Sequence, residues 1–97
     1  MNRTMRAIVV TPQARQDLID IHAFVSLDRP LAADRLLGRF ERAFRLLARA
    51  TGMGHRRRDV RDNRYRFWLV RPYLIAYRAN KRALTIVRVL HGRRDVR

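Results

Sequence analysis

The stretch Arg64–Leu90, RYRFWLVRPYLIAYRANKRALTIVRVL, decides the fold. Tyr65, Phe67 and Leu69 alternate with Arg64, Arg66 and Trp68, the period of two that a strand with unlike faces requires. Arg71-Pro72 interrupts the pattern, Tyr73-Leu74-Ile75-Ala76-Tyr77 resumes it, Ala79-Asn80-Lys81-Arg82 interrupts again, and Leu84-Thr85-Ile86-Val87-Arg88-Val89-Leu90 closes the set. Interruptions this short leave room only for tight turns, so the segment predicts three strands in an antiparallel meander. If Tyr65, Phe67 and Leu69 face the rest of the protein, Arg64, Arg66 and Trp68 are presented outward, where guanidinium groups interleaved with an indole suit a nucleic acid or an acidic protein surface. The plainer alternative puts Trp68 in the core and leaves the arginines to solvate an open sheet.

Working outward toward the N-terminus, the period changes from two to that of a helix. Ala33, Leu36, Leu37, Phe40, Ala43, Phe44 and Leu47 line one helical face, with Arg35, Arg39, Arg42, Arg45 and Arg49 elsewhere on the circumference. Those arginines are most simply a solvated face. Ala14, Leu18, Ile21 and Val25 mark an earlier amphipathic helix, opened by Thr11 as N-cap and Pro12 at the first helical position. Ser26-Leu27-Asp28-Arg29-Pro30 stops the first helix and starts the second, so the pair forms an antiparallel helical hairpin. Ala7-Ile8-Val9-Val10 precedes it as a short buried strand, and Thr51-Gly52-Met53-Gly54 followed by the basic run His55–Asn63 separates the hairpin from the meander. The fold class is therefore α+β in the order β-α-α-β-β-β, a small antiparallel-rich sheet covered on one face by an N-terminal helical hairpin, with residues 1–97 as a single domain.

The chain carries 23 basic against 8 acidic residues, a formal charge of +15, which predicts attraction to a polyanion or an acidic protein. Lys81 is the only lysine, so a base-composition bias of the genome accounts as readily as function for the choice of arginine, though not for the excess of positive charge. The absence of cysteine excludes disulfides, thiolate zinc sites and a cysteine nucleophile, and fits a reducing cytoplasm. Met1–Arg6 leads into only four apolar residues, too few for a signal peptide, and no run approaches the roughly 20 apolar residues of a membrane span. No zinc-ligand spacing, phosphate-cradling glycine loop or nucleophile–base motif is present, so neither metal nor cofactor is implied.

Three stretches resemble one family. Pro12–Ile21, with Ala14, Asp17-Leu18 and Ile21, is similar to the first helix of the RelE/ParE toxin superfamily; Tyr73–Arg78 is similar to its penultimate strand; and Ile86-Val87-Arg88-Val89-Leu90-His91-Gly92-Arg93-Arg94-Asp95 is similar to the final strand and tail of its ParE-like branch. The resemblance implies a RelE/ParE-like fold and a toxin of a type II toxin–antitoxin system. It implies as partner a co-encoded antitoxin, ParD-like or another small acidic-tailed protein, in a hetero-oligomer that meets promoter DNA only through the antitoxin. ParE-type members are associated with poisoning DNA gyrase, whereas RelE-type members cut mRNA in the ribosome, and a shared fold does not choose between them.

The residues favour gyrase. RelE-type enzymes are known for lysines in the mid-chain loop and a tyrosine near the C-terminus; here the loop offers Arg56, Arg57 and Arg58, and no tyrosine follows Tyr77. Arginine stays protonated and so is a poor general acid or base. An inhibitor that acts by binding is therefore expected rather than an enzyme, with no catalytic residue. In the alternative, a ribosome-dependent mRNA endonuclease, His55 and His91 would carry the proton transfers; the plainer reading makes His55 a solvated loop residue and His91 a strand-end residue bonded to nearby backbone. A bare nucleic-acid-binding module explains the charge but not the tail. The expected target-binding surface is Arg64, Arg66, Trp68, His91, Arg93, Arg94 and Arg97, and the expected antitoxin groove is Leu18, Ile21 and Val25 with Leu36 and Phe40 of the second helix.

Overall fold

The computed structural model describes residues 5–56 and 64–93. In chain order it comprises β1 (Ala7–Val10), α1 (Pro12–Ser26), α2 (Pro30–Arg49), a 3-10 turn (Thr51–Met53), β2 (Arg66–Val70), β3 (Tyr73–Ala79) and β4 (Ala83–His91). The sheet order is β1-β4-β3-β2. β2–β3 and β3–β4 are the expected antiparallel meander, while β1 lies parallel to β4, because the helical hairpin carries the chain across the sheet before the meander returns beside its start. No helix among the described residues is long and apolar enough to cross a membrane.

α2 and the sheet supply most of the core between them. Leu36, Phe40, Ala43, Phe44, Leu47 and Ala48 are buried against Val70, Tyr73, Ile75, Tyr77, Leu84, Ile86 and Val89 of the sheet, and α1 adds Ala14 with the half-buried Leu18, Ile21 and Val25. Complete burial of a side chain such as Phe40 or Leu47 is worth about 1.5–3 kcal/mol. Ala14 and Ala33 are wholly inaccessible, small side chains where larger ones would push the helices apart. Thr11 caps α1 as expected, its Oγ1 accepting from the Ala14 amide at 3.1 Å, and the same hydroxyl donates to the Val87 carbonyl at 2.8 Å.

Two expectations about faces are corrected. Trp68 and Val70 pack toward the helices, whereas Phe67 joins Leu74 and Ala76, with Tyr65 beside them, in a second cluster on the opposite face. The meander is apolar on both faces here, so alternation with arginine did not mark the inside; α2 covers the Trp68–Val70 side, and Leu69 is left 42% exposed. Leu36 and Phe40, expected to line an antitoxin groove, are buried beneath α2 at 8% and 1% exposure and offer a partner no surface.

β4 carries a bulge. Ala76 pairs with Arg88 and Tyr77 with Ile86, leaving Val87 as the extra residue. Beyond Ile86, β4 has no strand on its outer side because β1 ends at Val10. α1 takes over that edge: Asp17 Oδ2 accepts from the Val89 amide at 2.9 Å, and the carboxylate grips Arg88 through Nε at 2.7 Å and Nη2 at 2.9 Å.

Candidate functional site

A concave polar surface grows out of one buried tyrosine. Tyr77 is fully buried; its Oη donates to the Thr51 carbonyl at 2.6 Å and accepts from the Gly54 amide at 2.9 Å. Burial pushes the phenol above its ordinary value of 10.0, while the Gly54 amide and the Arg66 charge pull the other way without cancelling it. Position 54 must be glycine because a Cβ there would fall onto the Tyr77 hydroxyl and ring. Arg66 Nη1 donates to the Gly54 carbonyl at 3.0 Å, and His55 exchanges two backbone hydrogen bonds with Phe67, at 2.9 and 2.7 Å. The chain leaving α2 is thereby riveted along the outer edge of β2.

Beside that rivet opens a cleft of about 510 Å³, lined by Arg56, Arg64, Arg66 and Arg78 with Thr51, Tyr77, Ala79, Asn80 and Thr85. Among the described residues no carboxylate lines it. Four guanidinium groups around one concavity lie within or near the screening length of about 8–10 Å at physiological ionic strength, so they act on a ligand together. They can bind and orient an anion or stabilise a negative transition state, but they do not exchange protons at neutral pH. Of the expected target surface, the cleft gathers Arg64 and Arg66 but not Trp68, which lies on the helix-facing side near Arg39, Arg42 and Leu46. Arg56, Arg78 and Asn80 belong to it as well; nothing in the order of residues singles out the last two, which become neighbours of Arg66 only through strand pairing.

His91 stands at the other end of the meander. Its Nδ1 accepts from the Arg93 amide at 3.2 Å and its ring meets Tyr73 edge-on at 5.6 Å, the strand-end role of the plainer reading. His55 lies outside β2 opposite Phe67, whereas His91 pairs with Tyr73 in β3. Crossing β2 and β3 to β4 takes three strand spacings, and Phe67 to Val70 takes three residues along a strand, so the two imidazoles are on the order of 17 Å apart. His22, on α1, meets Asp34 of α2 at 2.9 Å. Among the described residues no three histidines or carboxylates cluster as metal ligands would. Arg93 is exposed at the end of the described chain; Arg94, Arg97, Arg57 and Arg58 lie outside the described residues.

The helical hairpin offers a surface of different character. A shallow groove of about 430 Å³ runs between α1 and α2, lined by Val10, Arg15, Leu18, Ile19, His22, Ala23 and Leu37. Ile19 in this lining is 54% exposed, and Phe24, Leu27 and Leu31 elsewhere on the hairpin are 63–81% exposed. Leu18 of the expected antitoxin groove lines this groove, while Ile21 lies instead in a pocket with Phe24, Tyr73 and His91.

The family model described as ParE toxin of type II toxin-antitoxin system, parDE, matches residues 8–96. Among solved structures, a chain of the "Chromosomal ParDE TA system from P. aeruginosa" has the same fold, with a TM-score of 0.74 at 20% identity over 90% of this chain and 96% of that one. No curated protein sequence matches.

Proposed function

Since the chain belongs to the ParE toxin family of type II toxin–antitoxin systems, we propose that it is a toxin that inhibits DNA gyrase by binding, with no reaction of its own, and that a co-encoded antitoxin neutralises it. The observation that carries the binding reading is what the described residues of the basic cleft offer: arginine, amide, hydroxyl and a phenol already engaged by two hydrogen bonds and raised in pKa, none of them suited to move a proton at neutral pH. General acid–base groups typically contribute about 10²–10⁴-fold each, and an endonuclease needs both an acid and a base. His55 and His91, separated by two strands, supply no such pair.

The antitoxin is expected on the groove between α1 and α2, where exposed apolar side chains meet Arg15 and an amphipathic, acidic segment finds both burial and charge. The solved structure with the same fold comes from a chromosomal ParDE toxin–antitoxin system of P. aeruginosa. Gyrase is expected to meet the basic end of the sheet and the tail. Purified toxin should inhibit gyrase supercoiling and leave mRNA intact in a parallel translation-coupled cleavage assay; mRNA cleavage with supercoiling unaffected would replace this reading with the endonuclease.

A further inference from the structure

We propose that the outer edge of β2 at Leu69, with the groove it shares with α2, takes up an extended acidic segment of a partner protein as a short additional strand. This surface shares no lining residue with the basic cleft or with the groove between α1 and α2. The inference does not depend on the gyrase reading.

The backbone makes the first part of the case. β2 is the end strand of the sheet, with β3 on its inner side. Phe67 turns its N–H and C=O outward, since both bond to the His55 backbone, at 2.7 and 2.9 Å. In an antiparallel ladder these groups alternate sides from one residue to the next, so Arg66, Trp68 and Val70 bond inward to β3 and Leu69 turns outward like Phe67. At the following outward position, Arg71, the carbonyl accepts from Arg39 Nη2 at 3.3 Å. Between these two engaged positions, no hydrogen bond among the described residues reaches the outward N–H and C=O of Leu69. An unpaired edge of this kind is a template for another strand.

The side chains narrow what that strand is. A shallow groove of about 360 Å³ runs beside the edge, lined by Leu46, Trp68 and Leu69 together with Arg39 and Arg42. Leu46 and Leu69 are 40% and 42% exposed. Arg39 and Arg42 are exposed too, and no carboxylate among the described residues pairs with either. When a segment adds to a sheet edge, main-chain bonds supply affinity and every second side chain supplies specificity. Here those side chains meet apolar surface and two guanidinium groups, so the fitting segment alternates apolar and carboxylate residues. His55 already covers the edge at Phe67, which keeps the added strand short and leaves the arginines a large share of the binding. A second copy of this chain is a poor occupant, because it would set Arg39, Arg42 and Arg71 against their own kind in a protein of formal charge +15.

The test is a titration of ¹⁵N-labelled full-length toxin, without gyrase or antitoxin, with a nine-residue peptide alternating glutamate and valine. Of all the amides, that of Leu69 should shift most, and its hydrogen exchange should slow; the Trp68 amide, already bonded to β3, should keep its exchange rate. The same peptide N-methylated at its three central residues keeps every side chain and charge, and it should bind about fivefold more weakly or worse. Leu69→Pro should weaken binding as much, and the fold should tolerate it because the N–H it removes serves no ladder bond. Arg39→Gln with Arg42→Gln should weaken binding about fivefold, whereas Arg15→Gln with Arg29→Gln, equal in charge removed, should change it less than about twofold. N-methylated peptide binding as well as its parent, or equal losses from the two arginine pairs, would overturn the proposal in favour of diffuse attraction. It would also be overturned if oligothymidylate of equal charge protected the Leu69 amide as well as the peptide does, which would put a nucleic acid there. Protection that grows with toxin concentration alone would put a second copy on the edge and overturn it likewise.

Discussion

Replacing Asp17 by alanine should cost the protein about 2 kcal/mol, and the structure says where the loss arises. The carboxylate makes two kinds of bond. One is the ion pair with Arg88, whose side chain is 45% exposed; exposed pairs contribute only about 0.2–1 kcal/mol. The other is the bond from the Val89 amide, on a strand edge that β1 leaves uncovered. An amide left unsatisfied at a partly buried position costs about 1–3 kcal/mol. Alanine's better helix propensity returns up to about 0.7 kcal/mol. For a domain of this size each kcal/mol moves Tm by roughly 4–8 °C, so Asp17→Ala should melt about 10 °C low. Asp17→Asn retains an acceptor oxygen and Arg88→Ala retains the carboxylate, so each should cost about 1 kcal/mol or less. Thermal melts of the three variants, with hydrogen exchange at the Val89 amide, decide the matter. Exchange should accelerate in Asp17→Ala well beyond its rate in Arg88→Ala. If Arg88→Ala destabilises as much as Asp17→Ala, the ion pair and not the edge amide carries this contact, and the reasoning fails.

Tyr77→Phe should lose about 1–3 kcal/mol by stranding the Gly54 amide and the Thr51 carbonyl, measured by urea unfolding. Because the folded-state pKa of Tyr77 is raised, its contribution is complete below pH 10 and declines as pH climbs through the folded value; the variant should lose less stability than wild type over that alkaline range. His55→Ala with His91→Ala should keep gyrase inhibition within a few-fold in a supercoiling assay, and a loss of 10²-fold or more in a folded protein would revive the endonuclease. Ile19→Glu should weaken antitoxin binding by at least tenfold in calorimetry without unfolding the toxin, since Ile19 is 54% exposed; unchanged affinity would move the antitoxin off this groove. Truncation after Arg93, which spares the bond from the Gly92 amide to the Pro72 carbonyl, should leave Tm within about 2 °C yet abolish inhibition of supercoiling; retained inhibition would put the target site in the cleft.

Much of the architecture was legible because it rests on local rules. The helical spacing of α1 and α2, the Thr11-Pro12 start and the Pro30 restart need no tertiary information, and the two short turns of the meander follow from chain length alone. Side-chain destinations were less legible. The stripe on α2 that includes Leu36 and Phe40 looks the same whether a partner or the sheet covers it, and the sheet does. On β2, apolar residues occupy both parities from Tyr65 to Val70, so periodicity could not say which of Phe67 and Trp68 turns toward the helices. The cleft was half visible, since Arg64 and Arg66 share a strand face in any register, but Arg78 and Asn80 join them only once β3 is laid beside β2, and Gly54 matters only once Tyr77 is beneath it.

The Val87 bulge joins these local pieces into one structure. The run from Leu84 to Leu90 shows no break in β propensity, yet unbroken alternation from Leu84 and Ile86 would turn Arg88 toward the core and Val89 away from it. One extra residue reverses the parity, so Leu84, Ile86 and Val89 all face the helices. Arg88 then pairs with Ala76 on the other face and reaches the β4 edge, where Asp17 waits on α1. The first-helix stretch and the last-strand stretch that carry the family resemblance are thus two halves of a single contact, 71 residues apart in sequence. Asp17 holds the strand that leads directly into the tail, so the direction in which Gly92 and Arg93 leave the sheet is set from the first helix.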